Sequence, residues 1–277
     1  MSERARRLGA PILLLVALAA AVLVPTSLDL ADPGSEAAEG LDTVLAGLPD
    51  QAMTLVGFDP DLGTYAEVRP TVRTLLADLS ARGAEIAMIS LTPEGRALAL
   101  GERDRIDRLA AGALDITDLG FVPGAEAALV TVARAIAGNG EIATPAGPLT
   151  LRAPDLIVVV GGNDLGPRSW AEQVIPRIGA VPVIAVTPTS LLPEVEPYRA
   201  SGQLAALLGT PRDGASYRRD AELGDLDALG DRAGGPAALA VLVGLLAAII
   251  WLGEILARGI APSIAPGLST RSERDRP

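Results

Sequence analysis

The sequence predicts an α/β fold: a three-layer Rossmann- or flavodoxin-like sandwich with about five mainly parallel strands, flanked by two transmembrane helices. Three observations lead to this prediction. Apolar runs alternate with helical patterns between residues 50 and 210, which is typical of a parallel sheet covered by helices. Polar residues follow the apolar runs, at the positions where parallel sheets bind ligands. Two uncharged stretches enclose this region, each about long enough to span a membrane.

The alternation defines the elements in order. Apolar runs predict strands at 53–58, 85–90, 114–122, 156–160 and 181–186. The patterns between them predict helices at 66–82, 93–111, 126–137, 169–178 and 191–208. Thr92, Pro93 and Glu94 predict a helix start, with an N-cap hydroxyl, a proline at the first position and an acid in the first turn. The turn-forming residues over 138–154 predict a hairpin or a surface excursion.

Two stretches are predicted to cross a membrane. The first, 9–28, is interpreted as either a cleaved signal peptide or an uncleaved anchor. No good small-x-small cleavage site follows its apolar core, which favours the signal anchor. The second, 234–253, carries Trp251 near one end, where an interfacial aromatic residue is expected.

The distribution of arginines predicts how the chain is oriented. Three arginines precede the first span, and four follow the second: Arg4, Arg6, Arg7, Arg258, Arg271, Arg274 and Arg276. By the positive-inside rule, both termini are cytoplasmic in a two-pass cell-membrane protein. The resulting division is a cytoplasmic N-terminus at 1–8, linkers at 29–49 and 211–233, an extracytoplasmic α/β domain at 50–210 and a cytoplasmic tail at 254–277.

The composition restricts the chemistry. The chain has no Cys, His or Lys, and its net charge is −11. Without thiols or imidazoles, any metal is expected to be a hard, oxygen-ligated ion. The acidic balance also argues against a nucleic-acid partner, because no basic surface is available to neutralise phosphates.

Polar residues gather after the predicted strands, where Asp59-Pro60-Asp61 follows the first, Ser90 and Thr92 the second, and Gly161-Gly162-Asn163-Asp164 the fourth. This layout resembles the haloacid dehalogenase phosphohydrolases. The resemblance implies that Asp59 is the nucleophile and Asp61 the acid/base, that Ser90 or Thr92 takes the catalytic Ser/Thr position after the second strand, and that Asp59 and Asp164 hold Mg²⁺.

The chain departs from that pattern in three ways. Thr64 follows Asp61 by three residues where the family has two, there is no lysine to neutralise the phosphate, and no cap is evident after the first strand. A structural interpretation also remains open, in which Asp59, Thr92 and Asp164 cap helices or turns at the strand ends.

A second resemblance covers roughly residues 50–250. It rests on VGFD at 56–59, SLTP at 90–93, LGFVPG at 119–124, WAEQV at 170–174 and YRASGQL at 198–204. These strings resemble uncharacterised two-span bacterial membrane proteins with an extracytoplasmic Rossmann-like domain. We therefore predict a binding or assembly module without a cofactor, whose expected partners are the lipid bilayer and another membrane protein. The alternative is a Mg²⁺-dependent phosphohydrolase.

Overall fold

The computed structural model describes residues 35–109, 116–138, 141–144, 147–149, 151–210, 213–214 and 216–217. All of them belong to one compact unit, Asp29–Ala233. The helices described are α1 (Glu36–Ala46), α2 (Leu62–Ala81), α3 (Pro93–Leu109), α4 (Glu126–Ile136), α5 (Pro167–Gln173), α6 (Ile175–Ile178) and α7 (Leu192–Ala200), the last preceded by a 3₁₀ turn at Thr189–Leu191. The strands described are β1 (Met53–Asp59), β2 (Glu85–Ser90), β3 (Ile116–Phe121), β4 (Ile142–Thr144), β5 (Gly147–Leu149), β6 (Leu156–Gly161), β7 (Val183–Val186) and β8 (Ala206–Leu208).

Six of these strands form one parallel sheet in the order β3-β2-β1-β6-β7-β8. The direction of strand addition reverses between β1 and β6, which pair side by side as far as Asp59 and Gly161. When only the strands of this sheet are counted, the order is that of the Rossmann fold, whose ligands bind outside the carboxyl ends of the strands at this reversal. The predicted α/β class and Rossmann-like sheet are confirmed. Strands β4 and β5 form a separate antiparallel hairpin, in the segment where a hairpin or surface excursion was predicted.

The sheet is buried on both faces. Helices α1, α2 and α3 contribute to the apolar core on one face, and helices α4 to α7 contribute to the core on the other. Strand β1 serves both cores because successive side chains of a strand point to opposite faces. Val56 and Phe58 belong to the first core, whereas Leu55 belongs to the second.

Three features differ from the sequence-based prediction. The helix predicted over 191–208 ends at Ala200, and the chain then forms β8, a sixth strand at the edge of the sheet. The predicted linker 29–49 contains α1, whose Leu41 and Leu45 are buried in the first core. The helix predicted to begin at residue 66 begins at Leu62, so Pro70 lies inside α2 rather than in its first turn. The sequence does not indicate β8, because a three-residue strand is too short to show a period.

The predicted spans, 9–28 and 234–253, lie outside the described residues, as do the two predicted cytoplasmic segments. Among the helices that the structure does describe, none has the length and apolar character needed to cross a bilayer. The membrane topology therefore stays a prediction.

A close contact between β1 and α5 leads to a stability prediction. A Cβ atom added at Gly57 would lie 2.4 Å from Cζ2 of Trp170, whose side chain is buried. We expect Gly57→Ala to destabilise residues 29–233 by about 1–3 kcal/mol, because the packed indole must shift. The control is Gly101→Ala in α3, where a Cβ meets open space and helix propensity predicts a gain of up to about 1 kcal/mol. Urea unfolding of both variants measures the difference, and an equally stable Gly57→Ala would contradict the prediction.

Candidate functional site

The carboxylate of Asp59 joins the end of β1 to the loop between β2 and α3. Its Oδ1 accepts hydrogen bonds from Leu91 N (2.8 Å), Thr92 N (2.9 Å) and Thr92 Oγ1 (3.0 Å). Its Oδ2 lies 3.0 Å from the same Leu91 N. Only 1% of the Asp59 surface is exposed. The carboxylate is therefore enclosed by the loop that it holds in place.

Burial raises the pKa of Asp59 from its ordinary value of 3.8 to about 6, because the charged form loses its hydration. The bonds from Leu91 and Thr92 favour the charged form and act in the opposite direction. Desolvation is the larger effect, so the carboxyl group takes up a proton more readily than an exposed aspartate does.

Thr92 is the N-cap of α3, as predicted from its sequence context. Its hydroxyl oxygen accepts a hydrogen bond from Gly95 N at 2.9 Å while the hydroxyl donates to Asp59. Gly95 allows this helix end to approach the strand, because a Cβ there would lie 2.3 Å from the carbonyl oxygen of Phe58. At the end of β2, Ser90 Oγ donates to the same carbonyl at 2.9 Å. Hydrogen bonds between these polar groups thus connect the ends of β1 and β2.

Asn163 connects the two loops that meet where the strand order reverses. Its Nδ2 donates to the carbonyl oxygen of Asp59 (2.9 Å) and lies 3.3 Å from Oδ1 of Asp61. Its Oδ1 accepts a hydrogen bond from Leu165 N at 2.9 Å. A Cβ added at neighbouring Gly162 would lie 2.3 Å from Thr64 Oγ1. The loop after β1 and the loop after β6 are therefore in direct contact.

Leu62, the first residue of α2, lies near the carboxyl ends of the strands, which we call the carboxyl edge of the sheet. It is 68% exposed, and no other large apolar side chain in the described part of the chain is exposed. Its backbone N–H donates to Oε1 of Glu94 at 2.8 Å, so the first turns of α2 and α3 are linked here. The carboxyl edge thus combines an exposed apolar side chain with nearby carboxylates.

No protein-family model, curated protein or solved structure matches this chain. The resemblances to two-span membrane proteins and to the phosphohydrolases therefore stay predictions. The functional interpretation of the edge rests on the contacts described above.

The structure brings together only some of the site residues that the phosphohydrolase resemblance implies. Asp59 and Thr92 are hydrogen-bonded, and Asn163 links Asp61 to them. The side chain of Asp164 is exposed, and its carbonyl oxygen accepts a hydrogen bond from Ser169. Within the described ranges, no group of three or more acidic side chains lies close enough to hold a metal ion. The pairing of Asp59 with Asp164 around Mg²⁺ stays a prediction.

A polar depression lies beside this edge, at the ends of β7 and β8. Its lining includes Glu67, Thr71, Thr187 and Thr210, and it has room for about one water molecule. Glu67 Oε1 accepts hydrogen bonds from the N–H (2.9 Å) and the hydroxyl (2.5 Å) of Thr189. The carboxylate already has partners, so the depression offers little to a ligand.

Two contributors to the edge were not assigned a role from the sequence. Leu62 precedes the helix predicted at 66–82, and a single apolar residue outside a periodic pattern indicates no role. Asn163 was placed at a strand end, but nothing in the sequence indicates which loop its amide contacts. That contact depends on β1 and β6 being adjacent strands, and this pairing cannot be predicted from the sequence.

Proposed function

We propose that this chain is a membrane-anchored extracytoplasmic binding or assembly module whose partner contacts the carboxyl edge of the sheet. The observation that carries the proposal is the 68% exposure of Leu62 at this edge, where no other large apolar side chain of the described residues is exposed. A single exposed apolar side chain is common on protein surfaces, so it is the position of Leu62 at this edge that supports the proposal. The edge is also where sheets of this strand order bind ligands.

The contact between the two loops favours a large partner over a small substrate. Asn163, in the loop after β6, bridges to Asp59 at the end of β1 and to Asp61 in the loop that follows it. Small-molecule sites are usually concave and bury most of their ligand. Loops bonded to each other in this way offer a surface, which suits a macromolecule.

The membrane assignment is supported by the sequence. The uncharged stretches 9–28 and 234–253 have about the length of membrane spans, and the arginines favour cytoplasmic termini. A module anchored in this way has the lipid bilayer and other membrane proteins as its neighbours. The net charge of −11 argues against nucleic acid.

The alternative remains a Mg²⁺-dependent phosphohydrolase with Asp59 as its nucleophile. It is favoured by Asp59 at the end of β1, by Ser90 at the end of the adjacent β2, and by the raised pKa of Asp59. Against it, Asp59 is 1% exposed and accepts three hydrogen bonds through Oδ1. A nucleophile has to reach its substrate, so the binding module is the better-supported function.

Site-specific crosslinking tests the binding module. A photo-reactive phenylalanine analogue is placed at Leu62 in the full chain, expressed in bacterial membranes. The control position is Arg108, which is exposed near the other end of α3. We expect a discrete adduct from position 62 and none from position 108. Adducts from both positions or from neither would contradict the proposal.

A further inference from the structure

We propose that α1 and the segment after β8 form a clasp, a single cooperative unit that detaches from the sheet as a whole, so that release of one chain segment releases the other. The segment after β8 consists of the described residues Gly209, Thr210, Asp213, Gly214, Ser216 and Tyr217, and we call it the strap. The clasp does not depend on what the carboxyl edge binds.

The strap is packed into the domain, although most of it lies in the predicted linker 211–233. Tyr217 is fully buried and belongs to the same apolar core as Leu41 of α1. A side chain at Gly214 would collide with the hydroxyl of Thr71 in α2, so the backbone of the strap lies directly against that helix. The predicted linker therefore begins with residues that are part of the domain core.

One hydrogen bond joins the strap to the residue that precedes α1. Ser35 Oγ donates to Oδ1 of Asp213 at 2.6 Å, across 178 positions of the chain. The other carboxylate oxygen, Oδ2, accepts a hydrogen bond from Thr210 N at 2.9 Å, and Thr210 Oγ1 accepts one from Asp213 N at 3.1 Å. Reciprocal bonds of this kind are typical of a helix start. They fix the position of the carboxylate that Ser35 contacts.

A second polar contact joins the strap to α2. The hydroxyl of Tyr217 donates to Oδ2 of Asp78 at 2.7 Å, and Arg82 Nε donates to Oδ1 of the same carboxylate at 2.9 Å. Burial raises the pKa of Tyr217, and the negative charges of Asp78 and of Asp42 in α1 act in the same direction. The hydroxyl therefore keeps its proton and remains a donor. Side chains of α1, α2 and the strap thus interact at this point.

Both parts of the clasp lie at the ends of the described domain. α1 precedes β1 and the strap follows β8, so neither is a strand of the six-stranded sheet. Proteins open locally in cooperative units, and elements outside the central sheet open most readily. If the strap detached alone, the buried groups of Ser35 and Asp78 would lose hydrogen bonds, which costs free energy. When α1 detaches as well, water reaches these groups, so the two parts open more easily together than separately.

The clasp couples two distant parts of the chain. α1 follows the predicted span 9–28, and the strap precedes the predicted span 234–253. A force or a binding partner that detaches one of these segments from the sheet therefore detaches the other. Gly209 and Thr210 also line the polar depression beside the carboxyl edge, so an open clasp changes the shape of that depression.

The test is hydrogen–deuterium exchange, measured by mass spectrometry, on the full chain purified in a mild detergent. In the parent chain we expect the amides of α1 and of the strap to share one protection factor, about tenfold or more below that of β1. Tyr217→Phe removes the hydroxyl that donates to Asp78 and should lower protection about tenfold in both α1 and the strap. Gly214→Ala, which displaces the strap by a steric collision, should lower protection in the same two segments.

The matched control is Tyr198→Phe. Tyr198 in α7 also donates its hydroxyl to a carboxylate, that of Glu172 at 2.5 Å, but it packs against the core on the other face of the sheet. This substitution should leave the protection of α1 and of the strap unchanged.

Three results would overturn the clasp. If Tyr217→Phe lowers protection in the strap but not in α1, the two segments are independent units. If α1 and β1 have equal protection in the parent chain, α1 opens only when the whole domain unfolds. If Tyr217→Phe changes neither segment, the bond to Asp78 does not close the clasp. The comparison of α1 with β1 needs no variant, so it decides the matter even where a variant fails to fold.

Discussion

Glu102→Gln is expected to lower the free energy of unfolding of residues 29–233 by about 3–5 kcal/mol, because it removes a carboxylate that pairs with a buried guanidinium. Glu102 in α3 binds Arg73 in α2 through both oxygens, at 2.6 Å to Nε and 2.8 Å to Nη2. The two side chains are only 7% and 6% exposed. Glutamine has nearly the same shape but no charge, so the buried guanidinium would lose the charge of this partner.

The controls for this prediction use an exposed pair and a double substitution. Arg103 and Asp104 also pair at 2.9 Å, but their side chains are 30% and 55% exposed. Asp104→Asn should therefore cost less than about 1 kcal/mol. Arg73→Met combined with Glu102→Leu should recover most of the loss, because apolar side chains of similar size tolerate burial. Urea unfolding measures all three, and a Glu102→Gln loss no larger than that of Asp104→Asn would contradict the prediction.

The second prediction with a large expected effect is that the stability of the folded chain depends on pH through Asp59. The folded pKa of about 6 lies above the ordinary value of 3.8. Between these values the folded chain holds a proton that the unfolded chain has released, so stability falls as pH rises from about 4 to about 6. Above pH 6 both states are ionised and the contribution of Asp59 no longer changes. Asp59→Asn should remove this part of the pH dependence, which unfolding curves at pH 4, 5, 6 and 7 will show. An unchanged profile would contradict the assignment to Asp59.

Asp59→Ala should be the more damaging substitution. It leaves Leu91 N–H, Thr92 N–H and the Thr92 hydroxyl without their acceptor, and we expect a loss of about 2–4 kcal/mol. Asparagine retains one acceptor oxygen and should lose less. Asp59→Asn also decides the phosphohydrolase alternative. Mg²⁺-dependent hydrolysis of p-nitrophenyl phosphate by the parent chain that disappears in Asp59→Asn would favour the enzyme, whereas no hydrolysis by either would remove it.

The elements with strong local signals were predictable. The apolar runs of β1, β2 and β6 appear as strands, because buried parallel strands are continuously apolar. The start of α3 follows from Thr92, since an N-cap hydroxyl satisfies a backbone N–H within its own turn. These features depend on residues close together in the sequence, so the sequence alone was sufficient to define them.

The candidate site was predictable only as a location. Parallel strands bring their carboxyl ends to one edge, so Asp59, Asp61 and Thr92 could be expected near one another. The burial, pKa and hydrogen-bond partners of these residues could not be predicted in the same way. The burial of Asp59 depends on how closely α3 approaches β1. That approach is possible because Gly95, which is 37 residues from Phe58 along the chain, has no side chain to meet the Phe58 carbonyl oxygen.

The sequence by itself determined the α/β class, the alternation of strands and helices, the acidic character, and the edge where polar residues gather. Only the tertiary structure decided the strand order, the place of β8 at the edge of the sheet, the bridge made by Asn163 and the exposure of Leu62. The physical reason is the range of the interactions. Periodicity and capping act within a few residues, whereas strand pairing, burial and loop contact join residues far apart in the chain, and their outcome depends on the packing of the whole domain.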